Sequence, residues 1–219
     1  NMSLSLQRAQ AILVADEQTP INMNVEDPTN IIEFKDLNIS YGNINILNDV
    51  NFSIKKNEFI TVLGATGSGK TSLLSQMNIE GALLCSTPWL QSTTIRNNIT
   101  FGLPFELNMY NDVLFACALL PDLQSFISGD LTELGEAGIT LSGGQKARIS
   151  LARACYKSCY DKNHKHESND DSLSGSGLIL LDDVMSALDA KSGQHVINNC
   201  ILGLIENNTR ILVTHQVDL

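Results

Sequence analysis

An eight-residue stretch rich in glycine, GATGSGKT at 64–71, constrains this chain more than any other part of its sequence. A GxxxxGK[ST] loop curls its backbone around a phosphate group with the N–H groups pointing inward, and side chains at its glycines would obstruct that curl. The apolar run at 59–63 predicts a buried strand before the loop, and residues 71–77 predict a helix after it. This order of strand, loop and helix is the context that a phosphate-binding loop requires.

The loop supplies most of the residues that we expect to bind a nucleotide. Lys70 is predicted to reach the β- and γ-phosphates of ATP, where each charge-assisted hydrogen bond contributes roughly 1.5–3 kcal/mol. The Thr71 hydroxyl is predicted to ligate Mg²⁺, and the N-terminus of the following helix attracts an anion. The other predicted contacts are Gly64, Thr66, Gly67, Ser68, Gly69 and Ser72.

A second element is an apolar strand that ends in a carboxylate. The sequence LILL at 178–181 predicts this strand, and Asp182 follows directly. Mg²⁺ prefers oxygen ligands and keeps several waters, which suits a carboxylate at this point. Such a strand is common by itself, but behind a phosphate-binding loop it predicts a Mg²⁺ site made by Thr71 and Asp182.

A third motif, LSGGQ at 141–145, is followed by the stretch KARISLARA. Gly143 and Gly144 leave backbone N–H groups uncovered, and the residues after them predict a helix with one apolar face. Taken alone, this pattern is also that of an ordinary helix cap.

The ordered motifs GATGSGKT, LSGGQ, LILLDD and LVTH resemble those of the ATP-binding domain of ABC transporters, and the resemblance covers about 31–219. In that family the signature serine and glycines meet the γ-phosphate that is bound by the opposite domain of a dimer. The resemblance therefore implies ATP and Mg²⁺ as ligands and a second nucleotide-binding domain as a partner. It assigns the trans contact to the signature residues Ser142, Gly143, Gly144 and Gln145.

Three further matches belong to the same resemblance. The SALD sequence at 186–189 is similar to the D-loop of the family, and His215 is similar to its switch histidine. Tyr41, in NISYG, is similar to the aromatic residue that stacks on adenine, a contact worth roughly 1–3 kcal/mol per base. A structural histidine and a core tyrosine are the alternative interpretations of His215 and Tyr41.

One departure from the family concerns catalysis. Active members carry a glutamate after the Mg²⁺ aspartate, and this chain has Asp183 there, which is one methylene shorter. General-base assistance contributes about 10²–10⁴ in rate, so we expect slow or negligible hydrolysis with ATP binding retained. The Asp-Asp pair and the stretch PWLQSTTIRNNITFG resemble the first, degenerate domain of the multidrug-resistance-associated (ABCC) transporters. In that group the first domain's signature completes the competent site on the second domain.

Other departures concern length and composition. The sequence CSTPW at 85–89 lacks the glutamine that relatives carry just before Thr87, and the stretch between Met77 and Ala82 is short. Gln91 matches a different family position and is not its substitute. In the family the missing glutamine bridges Mg²⁺, the attacking water and the membrane domain, so its absence puts coupling in doubt. A deletion, a mispredicted exon or a decayed gene would each explain these differences.

The polar stretch 157–177 is an insertion relative to the family and predicts a disordered surface loop, because it can bury too little apolar surface to offset its ordering entropy. A regulatory role through phosphorylation is a hypothesis for its serines Ser168, Ser172 and Ser174. A zinc site is a second, weaker interpretation, because the spacing of its candidate ligands is unfavourable. Those ligands are Cys155, Cys159, His164 and His166.

Composition narrows the class of protein. A net charge of −10 argues against a nucleic-acid surface, and five cysteines without a framework spacing favour reduced thiols. The sequence contains no run of 18 apolar residues, so we do not expect it to span a membrane itself. The family resemblance implies a domain at the cytoplasmic face of a membrane, with the spanning helices elsewhere in the transporter. Residues 1–30, with an amphipathic stretch at 3–17, resemble a linker and the end of a preceding membrane-domain helix; an ordinary packed helix is the alternative.

The predicted organisation is one nucleotide-binding domain over 31–219. Residues 31–92 and 178–219 predict an α/β P-loop NTPase core with a mostly parallel sheet and an antiparallel β edge, and 93–156 predict an inserted α-helical subdomain. The favoured function is the ATP-binding domain of an ABC exporter, an ATPase partnered by transmembrane domains. The alternatives are a non-catalytic regulatory or decayed nucleotide-binding module and a soluble ABC protein acting on ribosomes or DNA.

Overall fold

The computed structural model describes residues 29–77, 83–85, 88–135, 140–164 and 177–215. Within these ranges the strands are Asn30–Tyr41 (β1), Ile44–Lys55 (β2), Phe59–Leu63 (β3), Leu83–Cys85 (β4), Leu178–Asp182 (β5) and Thr209–Thr214 (β6). The helices are Lys70–Gln76 (α1), Ile95–Thr100 (α2), Leu107–Ala116 (α3), Leu120–Ser125 (α4), Gly143–Asn163 (α5) and Ala190–Val196 (α6), which continues as a π-helix over Ile197–Leu204. A single 3₁₀ turn covers Gly129–Leu131.

A four-stranded parallel sheet in the order β3-β6-β5-β4 forms the centre of the fold. Every residue of β6 is buried, as are the first four residues of β5. Strands that are covered on both faces read as continuous apolar runs, which explains the sequences LILL and ILV. Because parallel strands point the same way, the segments that follow β3, β5 and β6 all emerge at one edge of the sheet.

Apolar side chains alternate between the two faces of this sheet. Leu178 and Leu180 of β5 pack with β1, β2 and α1, whereas Ile179 and Leu181 pack with the helices α2 to α6. This alternation follows from the two-residue period of a strand. The fold is therefore layered, with the strand pair and α1 on one face of the sheet and the remaining helices on the other.

The antiparallel pair β1 and β2 confirms the predicted mixed α/β architecture but differs from it in one respect. The pair forms a two-stranded sheet of its own, hydrogen-bonded within itself, rather than an edge of the parallel sheet. Its buried residues Ile32, Phe34 and Ile54 lie in the same apolar cluster as Leu180 and Ile211. The pair is thus held by packing of its face and not by strand pairing at the sheet edge.

The helices between β4 and β5 share their core with the sheet. Ile95 of α2, Val113 of α3 and Ile149 of α5 lie in one cluster with Ile179 and Leu212. A helical subdomain over 93–156 with a boundary of its own stays a prediction. The sequence also predicts one helix from Asn108 to Leu120, whereas α3 ends at Ala116 and the chain passes through a left-handed Ala118 (φ 55°) before α4 begins.

Helix α5 runs to Asn163, beyond the predicted end at 156, so the first residues of the predicted disordered insertion are helical. Lys157 and Asp161 form an ion pair one turn apart, and the His164 ring is 2.8 Å from a carboxylate oxygen of Glu106. These contacts account for the longer helix. The rest of the insertion, with Ser168, Ser172 and Ser174, lies outside the described residues, as does the N-terminal segment 1–28.

Among the residues that the structure describes, no helix is both long enough and apolar enough to cross a membrane.

The central strand provides a test of the layered core. Ile211 is completely buried in β6, so Ile211→Ala should lower the free energy of unfolding by about 2–5 kcal/mol through lost burial and a residual cavity. Ile127→Ala makes the same truncation at a fully exposed side chain and should change stability by less than about 0.5 kcal/mol. Urea unfolding followed by circular dichroism measures both, and equal losses would contradict the assigned core.

Candidate nucleotide site

The carboxyl edge of the parallel sheet carries a cleft of about 280 Å³. Nine of the predicted site residues line it: Thr66, Gly67, Gly69, Lys70, Thr71, Ser72, Asp182, Asp183 and His215. A larger cavity of about 400 Å³ lies beside Leu141 and Lys146, but the phosphate-loop and carboxylate residues line the smaller one. The strands thus bring together residues that are more than 100 positions apart in the sequence.

The phosphate-binding loop has the backbone that its glycines predict. Gly67 and Gly69 have φ angles of 80° and 91°, in the left-handed region that other residues seldom adopt. The Lys70 ammonium group donates to the carbonyl oxygens of Gly64 (2.7 Å) and Ala65 (2.8 Å). The lysine side chain therefore spans its own loop, with its charge held beside the loop backbone.

The β1–β2 hairpin lies directly against this loop. A Cβ built on Gly69 would come within 2.7 Å of Cγ2 of Ile46, which also lines the cleft. No motif in the sequence marks Ile46 as a site residue. The one available signal is its position near the hairpin turn: it lies two residues after Ile44, which pairs with Tyr41. Tyr41 itself is 58% exposed and is not among the residues that line the cleft, so its role in adenine stacking stays a prediction.

The side chains predicted to hold Mg²⁺ meet in the structure. The Thr71 hydroxyl donates to Oδ2 of Asp182 across 3.1 Å. Adjacent oxygen ligands of an octahedral Mg²⁺, each about 2.1 Å from the ion, lie about 3 Å apart. The spacing and the chemistry of this donor pair therefore fit two neighbouring positions of a Mg²⁺ coordination shell.

Asp183 and His215 form a polar pair beside that position. The backbone of Asp183 is left-handed (φ 53°), and its N–H donates to the carbonyl oxygen of Val213. Its Oδ1 lies 3.1 Å from Nδ1 of His215, with both side chains about half exposed. The turn after β5 thus directs the Asp183 carboxylate towards the end of β6, where it contacts a histidine.

The signature motif begins helix α5 at a distance from this cleft. The Ser142 hydroxyl accepts from the N–H of Gln145, and the Gln145 side chain accepts from the N–H of Ser142, which together make a capping box. Ser142 and Gly143 are exposed, and no residue of 142–145 is among those that line the cleft. The residues of the signature motif therefore do form a helix cap, and this does not exclude the predicted signature role.

The predicted D-loop packs against the signature. A Cβ on Gly144 would lie 2.8 Å from the carbonyl oxygen of Ala187, so the two segments touch through their backbones. Asp189 caps α6, and hydrogen bonds from Ser192 hold the pKa of its carboxyl below the ordinary value. Asp122 of α4 also contacts the helix that begins at the signature. Asp122 lies more than 20 positions before that helix in the sequence, and no local sequence pattern marks the contact.

Among the described candidate zinc ligands, Cys155, Cys159 and His164 do not form one cluster. Cys155 lies 3.3 Å from Cys200 in a buried group that also contains Cys117, whereas His164 contacts Glu106. Hydrogen bonds with the neighbouring thiols, and then burial, raise the pKa of the Cys117 thiol above its ordinary value. These three buried thiols belong to the apolar cluster that the helices share with the sheet. His166 lies outside the described residues.

Comparison with known proteins found extensive similarity to transporters. The chain is 44% identical over 183 residues to the oligomycin resistance ATP-dependent permease of Saccharomyces cerevisiae, covering 78% of the chain and 11% of that protein. It is 38% identical over 236 residues to multidrug resistance protein mrp-7 of Caenorhabditis elegans, covering 97% and 14%. It is 42% identical over 184 residues to human ATP-binding cassette sub-family C member 2, covering 77% and 11%. The chain thus spans between a tenth and a seventh of these relatives, and no family model matches it.

The two signature glycines allow a matched test of the contact with residues 186–189. Gly144→Ala should lower the free energy of unfolding by about 1–3 kcal/mol, because its Cβ would lie 2.8 Å from a backbone carbonyl oxygen, which cannot move aside as cheaply as the end of a flexible side chain. Gly143→Ala makes the same change at the adjacent position, where a Cβ would have nothing within 4 Å, and should be neutral or slightly stabilising. Thermal unfolding of both variants measures the difference, and identical melting temperatures would rule out the tight contact.

Proposed function

The chain is an ATP-binding cassette (ABC) nucleotide-binding domain that resembles those of C-subfamily transporters, and on that premise we propose that it binds Mg·ATP, pairs with a second such domain and drives a membrane exporter. We further propose that it corresponds to the first domain of such a transporter, at the cytoplasmic face of a membrane, with slow hydrolysis at its own site. ATP and Mg²⁺ are the ligands of this proposal.

One observation carries the proposal for ATP binding. Lys70 and Thr71 of the phosphate-binding loop line the same cleft as Asp182, Asp183 and His215, although they come from opposite ends of the chain. The lysine and the helix N-terminus attract phosphates, and the hydroxyl and carboxylate oxygens suit Mg²⁺. When bound, Mg²⁺ would neutralise charge on the phosphates.

Slow hydrolysis is proposed because the Asp183 side chain is short and already contacts His215. A general base has to reach hydrogen-bond distance of the water that it activates. The Asp183 carboxylate is one methylene shorter than the glutamate of active relatives, and it already contacts Nδ1 of His215 at 3.1 Å. Both features withdraw it from the attacking water, whereas neither removes a group that holds the phosphates.

Pairing with a second domain is proposed from the separation of the two motif groups. Ser142 and Gly143 face solvent and do not line the chain's own cleft. If the signature contacts a γ-phosphate, as the family resemblance implies, that phosphate belongs to another domain. The exposed N–H groups at the start of α5 suit such an anion.

A membrane-domain partner is proposed from two exposed aromatic residues, one before α2 and one directly after it. Trp89 and Phe101 are about half exposed, and the Arg153 guanidinium lies 4.5 Å from the Phe101 ring centre. Exposed apolar surface of this kind marks an interaction site. A cavity of about 330 Å³ beside Phe101 and Arg153 would receive a side chain of that partner.

A non-catalytic or decayed nucleotide-binding module is the second candidate function. Asp183 and the missing glutamine before Thr87 favour it, although Thr87 itself lies outside the described residues. This candidate predicts ATP binding without pairing. An acidic chain with a net charge of −10 gives no support to a ribosome- or DNA-directed ABC protein.

Lysine substitution tests ATP binding. Lys70→Ala should weaken Mg·ATP binding roughly 10- to 150-fold, because it removes a charge-assisted contact worth about 1.5–3 kcal/mol. Lys56→Ala removes an exposed lysine that does not line the cleft and should leave the affinity unchanged. Titration calorimetry with Mg·ATP measures both, and undiminished affinity of Lys70→Ala would refute the phosphate-site assignment.

Lengthening the carboxylate at 183 tests the degenerate site. Asp183→Glu should raise ATP turnover only when a second nucleotide-binding domain supplies its signature in trans, because hydrolysis needs both a base of the right reach and a closed dimer. The left-handed backbone at 183 costs glutamate roughly 1–2 kcal/mol, so melting temperatures must accompany the rates. Asp183→Asn, which tolerates that backbone, is the control and should stay inactive. Turnover by Asp183→Glu alone would argue against the dimer requirement.

A further inference from the structure

We propose that Asp122 is a positioning residue that sets the conformation of the signature loop, and that it does so through the side chain of Gln145. The proposal rests on the proposed function, since it concerns the surface offered to a second domain. Asp122 lies in the first turn of α4, outside every motif that the sequence analysis identified. Its carboxylate nevertheless makes two separate contacts with the helix that begins at the signature.

The first contact joins Asp122 to the capping box. Oδ1 of Asp122 accepts from Nε2 of Gln145 at 3.1 Å. The opposite atom of the same amide, Oε1 of Gln145, accepts from the backbone N–H of Ser142 at 2.9 Å. The Gln145 amide is planar, so fixing its nitrogen also fixes its oxygen and, through it, the backbone of Ser142.

The second contact anchors the carboxylate itself. Oδ2 of Asp122 accepts from Nε (3.2 Å) and from a terminal nitrogen (2.6 Å) of Arg148, one turn further along α5. The two side chains are only 15% and 10% exposed. A charge pair withdrawn from water in this way has a defined geometry, whereas an exposed pair samples many. Asp122 is therefore held rigidly at the point where it orients Gln145.

The orientation matters because the signature acts through backbone groups. Ser142 and Gly143 are exposed, and Gly144 packs on the carbonyl of Ala187. A network that holds the backbone of Ser142 from one side and Gly144 from the other keeps the N–H groups of Gly143 and Gly144, at the start of α5, preorganised for an anion, with no ordering cost when a partner docks. Loss of Asp122 frees the Gln145 amide to rotate and removes half of this support.

The test uses Asp122→Asn with Asp130→Asn as the matched control. Asp130 forms the same kind of forked ion pair with Arg96 (2.7 and 3.1 Å) and makes no contact with 142–145 among the described hydrogen bonds. Each variant is mixed with a second nucleotide-binding domain that carries the glutamate, and ATP turnover of the mixture is measured. Mg·ATP affinity of each variant alone reports the chain's own cleft.

Asp122→Asn should reduce the stimulation of turnover roughly 10-fold or more, as misplacement of a docking group does, while its own Mg·ATP affinity stays within about twofold of the native value. Amide hydrogen exchange should become faster at Ser142 and Gln145 in Asp122→Asn and stay native there in Asp130→Asn. Native stimulation and native exchange in Asp122→Asn would overturn the proposal.

A second variant and a measurement that needs no partner separate failure of this proposal from misfolding and from failure of the proposed function. If Asp122→Asn does not fold, Asp122→Glu keeps the charge that balances Arg148 but displaces the carboxylate, and it should show the same local loss of protection. If the native chain itself fails to stimulate the second domain, the proposed function fails. The exchange measurement, which needs no partner, then decides the positioning role alone.

Discussion

The parallel hydrogen bonding of β6 between β3 and β5 is the interaction on which the rest of the structure depends. It aligns Leu63 with Thr214 and Asp182 with Val213, so that three chain segments leave the sheet side by side. The phosphate-binding loop, the two aspartates and His215 are neighbours for this reason alone. The local sequence of each segment determines the chemistry of its side chains, whereas the sheet determines the distances between the segments.

The helices on one face of the sheet have a different relation to that site. They share a core with β5 and β6, yet the signature at the start of α5 points to solvent and not into the cleft. The chain therefore carries its phosphate-binding loop motif in a cleft and its signature motif at an exposed helix N-terminus. This division is the arrangement that the proposed pairing with a second domain requires.

Much of this arrangement could be predicted from sequence, because the informative residues are local. Gly67 and Gly69 indicate a left-handed backbone at their own positions, and LILLDD indicates a buried strand and the residue at which it ends. The capping box at Ser142 and Gln145 is also a pattern of near neighbours. In each case the physical cause lies within a few residues of the signal.

The contacts that could not be predicted join distant segments. Ile46 approaches Gly69 only because the β1–β2 hairpin packs on the sheet face, and Asp122 meets Gln145 only because α4 and α5 pack together. Side-chain chemistry at these positions is compatible with many other places in a fold. The end of α5 shows the same limitation. The polar composition of 157–163 predicted disorder, but these residues are helical. An ion pair within the helix and a contact with Glu106, the N-cap residue of α3, hold this end in place.

Helix α5 has 21 residues and is therefore about 30 Å long. One end holds the signature loop, and the other leads into residues 165–176, the part of the insertion that carries its serines. Because the middle of this helix is buried in the core, the signature at its first residues and the point where the chain leaves it for the insertion are held at a fixed separation.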